Sequence, residues 1–302
     1  MKPTLIRDDM RYWLIEPDPR LRPWVHCYFV VEPDPHGKPA ADEPPELLLP
    51  DGHSEIVFNL GTSGYERWPV EDRTHRTVMR SSYLIGGRSH SVLTRNIGPV
   101  RLAGAKLDPR ALHRLISIPL TDFRDTTLAL AELNDRGLLE LEDALANARC
   151  ASTMKHLLNT FFLRTIAGLQ PEHAATQHLL YELQRTRGQL SIMEWARSHR
   201  LDVRSLERRF SAAVGMTPKR YARIVRFKHS YHRLIAQRRT HAIGPHLDGF
   251  YDQSHFNREF RFFTGAAPSA KLAGQMRTGT SISDHLLEGE LGWPVQRRAR
   301  RS

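Results

Sequence analysis

One pattern is written twice in this chain at a spacing of fifty residues. The first copy is Asp202-Val-Arg-Ser-Leu206-Glu-Arg208-Arg-Phe210, continuing to Gly215 and Pro218. The second is Asp252-Gln-Ser-His-Phe256-Asn-Arg258-Glu-Phe260, continuing to Gly265 and Pro268. Asp, Arg, Phe, Gly and Pro recur at the same offsets, so one supersecondary unit is built twice. Asp202 and Asp252 suit helix N-caps, because a carboxylate accepts the free N–H groups of a first turn. Leu206 and Phe210 share one helical face, as do Phe256, Phe260 and Phe263. The opposite faces carry Arg204, Glu207, Arg208 and Ser211 in one copy, and Ser254, Asn257, Arg258 and Arg261 in the other. Gly215 and Gly265 fit the left-handed residue that ends a helix.

The flanking residues extend the pattern into larger units. Ser191-Ile-Met-Glu194 has the form of a capping box and predicts a helix through Trp195 and Ala196 to about His199. A turn at Arg200 to Asp202 then gives helix, turn, helix, with the second helix free to enter a groove. Thr217-Pro218 opens a longer helix to about Gln237, roughly 30 Å at 1.5 Å per residue. That is close to one turn of duplex DNA, about 34 Å. Side chains such as Arg, Asn, Gln and Ser match the donor and acceptor pattern of base edges in the major groove.

The run from "LSIMEWARSHRLDVRSLERRFSAAVGMTPKRYARIVRFKH" to "GFYDQSHFNREFRFFTGAAPSAK" resembles the DNA-binding domain of AraC-type (AraC/XylS) transcriptional regulators. The resemblance implies DNA contacts at Arg204, Ser205, Glu207 and Arg208 in the first module, and at Gln253, Ser254, Asn257 and Arg258 in the second. It also implies promoter DNA and RNA polymerase as partners. In one respect the chain departs from the family. Where the second module's supporting helix should run, the sequence reads Ile243-Gly244-Pro245-His246-Leu247-Asp248. Gly and Pro cost about 1 and 3 kcal/mol in a helix interior, so the second reader is expected to be the less preorganised of the two.

Charge divides the chain in the same place. Of the net +11, residues 1–180 hold 21 Lys+Arg against 23 Asp+Glu, and residues 181–302 hold 23 against 10. A basic half beside a near-neutral half fits an electrostatic DNA-binding module joined to something else. The fold class expected is α+β multidomain: an N-terminal antiparallel β barrel or sandwich, a helical connector, and an all-α C-terminal domain of two helix-turn-helix units joined by a linker helix. The boundaries expected are 1–107 for the β-rich sensor and 108–180 for the connector. Residues 181–275 form the DNA-binding domain, and 276–302 a basic tail ending in "QRRARRS".

In the first half, Val25 to Val31 and Glu55 to Gly61 alternate apolar and polar residues, and "SYLIGG", "SVLT" and "VRLAGAKL" continue the series. The polar, proline-rich segment His36 to Glu46 reads as a surface loop. From Asp108 the period becomes helical. Leu138 to Ala148 and Ala151 to Leu169 are two further helices, and the Asp108–Leu169 helices together carry more leucine and phenylalanine than one small domain must bury, so a homodimer contact is expected there. The pattern "LPDGHSEIVFNLG" followed by "GPVRLAGAKLDPRALHRLISIPLTDFRD" is similar to the sensor half of one subgroup of the same family, implying a small-molecule effector of unspecified chemistry.

Other chemistry finds little support. Cys27 and Cys150 supply neither a disulfide framework nor a four-thiolate zinc site, and both read as packing residues in a reducing cytoplasm. The charged N-terminus and the lack of an apolar run near twenty residues argue against secretion and membrane insertion. His53 with Glu55, and His75 with His90, lack metal-ligand spacing. No metal or cofactor is expected. A barrel-type enzyme tethered to DNA is the alternative, and the missing catalytic constellation argues against it.

Overall fold

The computed structural model describes residues 1–7, 10–36, 45–72, 74–116, 119–166, 174–236 and 249–268. Its strands are β1 (Leu5–Arg7), β2 (Met10–Ile15), β3 (Val25–Pro33), β4 (Glu46–Leu48), β5 (Ser54–Asn59), β6 (Gly64–Pro69), β7 (Thr77–Met79), β8 (Tyr83–Ile85), β9 (Val92–Ile97), β10 (Leu102–Leu107) and β11 (Thr127–Ala129). Seven form one antiparallel sheet in the order β1-β2-β3-β10-β5-β8-β11, and four form a second in the order β4-β9-β6-β7. Both sheets are open, with β1 and β11 as the edges of the larger one, so the first half is a two-sheet arrangement and not a closed barrel.

The alternation in β3 and β5 sorts side chains between two buried layers. Tyr28, Val30, Ile56, Phe58, Ala103 and Ala105 are essentially inaccessible and belong to the core shared with the connector helices. Phe29, Val57, Tyr83, Ile85 and Leu102 pack with Tyr65 of the second sheet. The central strand β10 is narrow at this point. A Cβ on Gly104 would stand 2.3 Å from the Phe29 ring and 2.4 Å from the Ile56 carbonyl oxygen.

Helices cover the outer face of the large sheet. Asp108 caps α1 (Pro109–Leu115), accepting from the Arg110 N–H at 3.0 Å, with Pro109 at the first position. The chain then returns to the sheet as β11, so residues grouped by period with the connector also supply a strand, paired to β8. Helices α2 (Arg136–Asn147) and α3 (Ala151–Thr165) follow. Phe162 stacks on Tyr28 at 6.0 Å, and Asn159 accepts from the Tyr28 hydroxyl at 3.0 Å and the Asp18 N–H at 2.9 Å. Leu138, Leu141, Leu145, Met154, Leu158, Phe161 and Phe162 are buried in this way within the chain. Much of the apolar surplus that suggests a dimer surface is therefore buried inside one molecule, while Leu139 stays exposed.

The C-terminal region consists of α4 (Ala174–Arg185), α5 (Ile192–Ser198), α6 (Val203–Val214), α7 (Pro218–Ala236) and α8 (Gln253–Thr264). Leu179, Leu180 and Leu183 of α4 lie in its core beside Trp195, Phe210 and Tyr221. Leu47, Leu49, Trp68 and Leu93 of the small sheet and its flank belong to the same core. Glu46, expected in a loop, begins β4. Among the described residues no helix is long and apolar enough to cross a membrane.

Because Phe162 joins the helical layer to the sheet, Phe162→Ala should destabilise the protein by about 3–5 kcal/mol. Leu139→Ala, at a 38% exposed position on α2, should stay within about 0.5 kcal/mol. Urea unfolding of both variants checks the contrast.

Candidate nucleic-acid interface and its contact with the N-terminal half

The two copies of the repeat form the same local structure for the same reasons. The Asp202 carboxylate accepts from the Ser205 N–H at 2.7 Å, and that of Asp252 from the His255 N–H at 2.6 Å. Gly215 (φ 79°) and Gly265 (φ 72°) close the helices in the left-handed region, their N–H groups donating to the Ser211 and Arg261 carbonyls. Ser191 caps α5 through the Glu194 N–H at 3.4 Å. Arg200 takes up the turn before α6 at φ 54°, a conformation few non-glycine residues adopt. Thr217 accepts from the Arg220 N–H at 3.3 Å where α7 begins.

Each helix turns its apolar stripe inward and its polar stripe outward. Leu206, Phe210 and Val214 are buried on α6, while Arg204, Glu207 and Arg208 are exposed and Ser205 half-buried. On α8, Phe256, Phe260 and Phe263 are buried, Gln253, Ser254 and Arg258 exposed and Asn257 half-buried. Gln253 donates to the Asn257 side-chain oxygen at 2.9 Å, fixing both amides one turn apart. All eight residues singled out from sequence thus lie on two similarly built helices. Their spacer α7 spans about 28 Å by helical rise.

The segment around Gly244-Pro245, from which a looser second module is expected, lies outside the described residues. What holds α8 in place is clear from α7. Arg223 pairs with the buried Glu259 at 2.5 Å and lies over the Phe262 ring at 4.0 Å. Phe227 stacks on Phe263 at 4.4 Å and meets Phe260 edge-on. An aromatic cluster with one charge-assisted bond fixes the pitch of this helix firmly.

Both helix-ending glycines are also docking points for the N-terminal half. A Cβ on Gly215 would fall 2.7 Å from the Leu120 carbonyl oxygen, and one on Gly265 would fall 2.3 Å from a Val70 methyl. Arg124 donates to the Gly215 carbonyl at 3.4 Å, and the His90 ring lies 5.4 Å from that of Phe262. The N-terminal half therefore touches the C-terminal ends of both α6 and α8 and leaves their polar faces open.

Sequence reasoning did not find the charged cluster beside this contact. Asp51 accepts from Lys106 at 2.6 Å and lies 3.5 Å from His53, whose ring stacks on His26 at 4.5 Å. Glu55 pairs with the buried Arg88 at 2.7 Å and lies 3.7 Å from Lys106. Lys228 of α7 stands close enough to interact with Asp51 and Lys106, so the linker helix adds a cation to the group. Burial raises the Asp51 carboxyl, but Lys106 and His53 overcome it and hold the group well below the usual range. The sequence signal was Asp51, His53 and Glu55 at alternate positions leading into an apolar strand.

Three further sequence readings are resolved. His53 and Glu55 are committed to these pairings, and among the described residues no group of three His, Cys, Asp or Glu could hold a metal ion. His75 pairs with Asp72, and His90 lies beside Ser89 and Asp125. Cys27 is buried, its thiol pushed up to about 12 by burial, as a packing residue should be. Cys150 is not one. It is exposed before α3, and hydrogen bonds from Ser152 and Thr153 bring its thiol down to about 7.

Burial pushes His26 down to about 2, with His53, Lys228 and Lys106 acting in the same direction. A histidine depressed from 6.5 stabilises the fold fully above pH 6.5, and that contribution is lost as pH falls toward the folded value. Asp51 adds a further loss once pH passes below the ordinary carboxylate range. Thermal melts should fall progressively below pH 6.5, and His26→Gln should flatten the upper part of that slope. Parallel slopes in the two proteins would contradict the assignment.

Comparison with known families matches residues 195–273 to a helix-turn-helix domain and residues 14–129 to a domain of unknown function. No curated protein matches. Solved structures similar in part include ToxT of Vibrio cholerae. An apo point variant from strain SCE256 is 11% identical over 88% of this chain and 98% of that one, with a TM-score of 0.42. ToxT bound to (E)-4-(8-methylnaphthalen-1-yl)but-3-enoic acid is 12% identical over 78% and 96%, with a TM-score of 0.43. ToxT bound to an unsaturated fatty acid is 12% identical over 91% and 99%, with a TM-score of 0.40. With the duplicated caps, the exposed polar stripes and the family match in agreement, the C-terminal part of this chain is an AraC-type helix-turn-helix domain, joined to an N-terminal antiparallel β domain.

Proposed function

We propose that this protein is a sequence-specific, DNA-binding transcription regulator that lays α6 and α8 in successive major grooves of promoter DNA. The observation that carries this reading is the pair of similarly capped helices, each presenting an exposed polar stripe, on one rigid spacer in the +13 half of the chain. Arg204, Ser205, Glu207 and Arg208 read one groove, and Gln253, Ser254, Asn257 and Arg258 the next. The surrounding lysines and arginines neutralise phosphates and set the register. The setting is the cytoplasm, and RNA polymerase is the partner through which binding acts. A homodimer on paired sites would use surface other than the inward faces of α2 and α3, which are consumed in the core.

The N-terminal domain supplies regulation. A cavity of about 190 Å³ lies between its two sheets, and Asp51, Glu55 and Lys106 line its polar end. The same residues form the charged cluster that meets the linker helix. Occupancy of the cavity by a small effector therefore bears on how the sensor half grips α7.

Each base-edge arginine should contribute roughly 1–3 kcal/mol. Since Arg223–Glu259 and the phenylalanine cluster anchor α8 firmly, Arg208→Ala and Arg258→Ala should cost comparable amounts on a selected site. Affinity should fall steeply with salt for that site and for a scrambled duplex alike, since both share the phosphate contacts, with the selected site staying the tighter at each salt concentration. Titrations of both variants at several salt concentrations check this. Equal wild-type affinity for selected and scrambled duplexes at every salt concentration would leave only a polyanion binder.

A further inference from the structure

The two copies of the repeat enter their second helices differently. In the first, Leu201 precedes the cap Asp202, is half-buried and packs in the core that holds Leu206, four residues past the cap. This is a hydrophobic staple, in which the residue before a cap sets the angle at which the chain enters its helix. In the second copy the equivalent residue is Tyr251, and the partner a staple requires is Phe256. Tyr251 does not fill that place. Phe250 does, 7% exposed and edge-on to Phe256 at 5.3 Å, and Tyr251 is left 92% exposed.

The backbone that carries Tyr251 is held in place. Phe250 lies under the Arg226 guanidinium at 5.2 Å. Gly249 turns at φ 88°, where a Cβ would stand 2.6 Å from the Gln189 side chain. The Tyr251 N–H donates to His255 Nδ1 at 3.4 Å. Its hydroxyl, in contrast, has no hydrogen-bond partner among the described residues. A fixed stem thus offers a large side chain to solvent at the end of α8 where Gln253 and Ser254 are also exposed. Packing gives no reason for a ring at this position, because Phe250 already makes the contact. The N-terminal residues of a recognition helix are those that reach base edges. The groove they enter is walled by phosphates, and a tyrosine hydroxyl is one of the donors that bond them.

Resting on the reading of α8 as a DNA reader, we propose that Tyr251 is a further contact residue of the second module: its hydroxyl donates to a backbone phosphate at the rim of the groove that α8 enters, and so fixes the register of that helix. The first module has no counterpart, since Leu201 is spent on the staple. Such a contact carries no base information and adds no cation.

Those two properties set the test, binding of the full-length protein to a selected duplex. Tyr251→Phe removes one oxygen from an exposed position, so it should melt with the wild type. It should bind about tenfold more weakly, the loss of one hydrogen bond to a charged acceptor. The factor should be the same for the selected site and for its single-base variants. The slope of affinity against salt should not change, whereas loss of a phosphate-bound lysine lowers it by about 1. Duplexes in which one phosphate at a time is replaced by a neutral methylphosphonate locate the contact. At one position within the α8 half of the site, replacement should weaken the wild type more than Tyr251→Phe, and elsewhere it should weaken both alike. Unchanged affinity of Tyr251→Phe would overturn the proposal, even where Tyr251→Ala binds poorly, because the ring alone would then matter. A loss confined to one base pair would overturn it too, since Tyr251 would then read sequence. If the wild type does not prefer the selected site to a scrambled one, the regulator reading fails as well. Selective binding that Tyr251→Phe leaves intact defeats this contact alone.

Discussion

The structure depends on one shared apolar core. The inward stripes of α6 and α8 close on α7, and the same core continues into Leu47, Leu49, Trp68 and Leu93 of the N-terminal half. A recognition helix is too short to be stable alone in water, so its pitch must come from what lies behind it. Here that support comes partly from the other half of the chain. The two repeat glycines that end these helices are seated against Leu120 and Val70. The polar faces stay open because the large apolar residues behind them, Leu206, Phe210, Phe256, Phe260 and Phe263, turn into this core.

Beside the core lies a group of charges that is stable only as a group. Asp51, Glu55, Lys106 and Arg88 are each buried or half-buried, and each finds an opposite charge within the cluster. Removing one member would strand another, which is why such groups specify a geometry more than they add stability. Lys228 brings the linker helix to this cluster from the C-terminal side, and the cavity reaches it from between the sheets. The cavity and α7 thus share one group of charges.

The C-terminal architecture was legible in sequence because its determinants are local. Caps at Asp202 and Asp252, glycines at 215 and 265, and stripes at three- and four-residue spacing involve neighbours in the chain. The N-terminal half was legible only as strands. Alternation in β3 suggested one buried face, whereas helices and a second sheet cover the two sides. Nothing local marks Thr127–Ala129 as a strand after a helix, since its pairing with β8 is made across the fold. The charged cluster joins Asp51 and Glu55, which alternation does put on one side, to Arg88 and Lys106, whose approach is made across the fold. Cys150 was misread for a similar reason: its neighbours supply hydroxyls at a helix start, and position on a helix alone does not imply burial.

In vitro selection of duplex sites by the full-length protein addresses the central claim most directly, because the selected sequence records which surfaces read DNA and how far apart. Two readers on one spacer of about 28 Å predict a bipartite site, its two short elements about 10 bp apart centre to centre. A single compact element, or selection with no enriched sequence, would contradict the account.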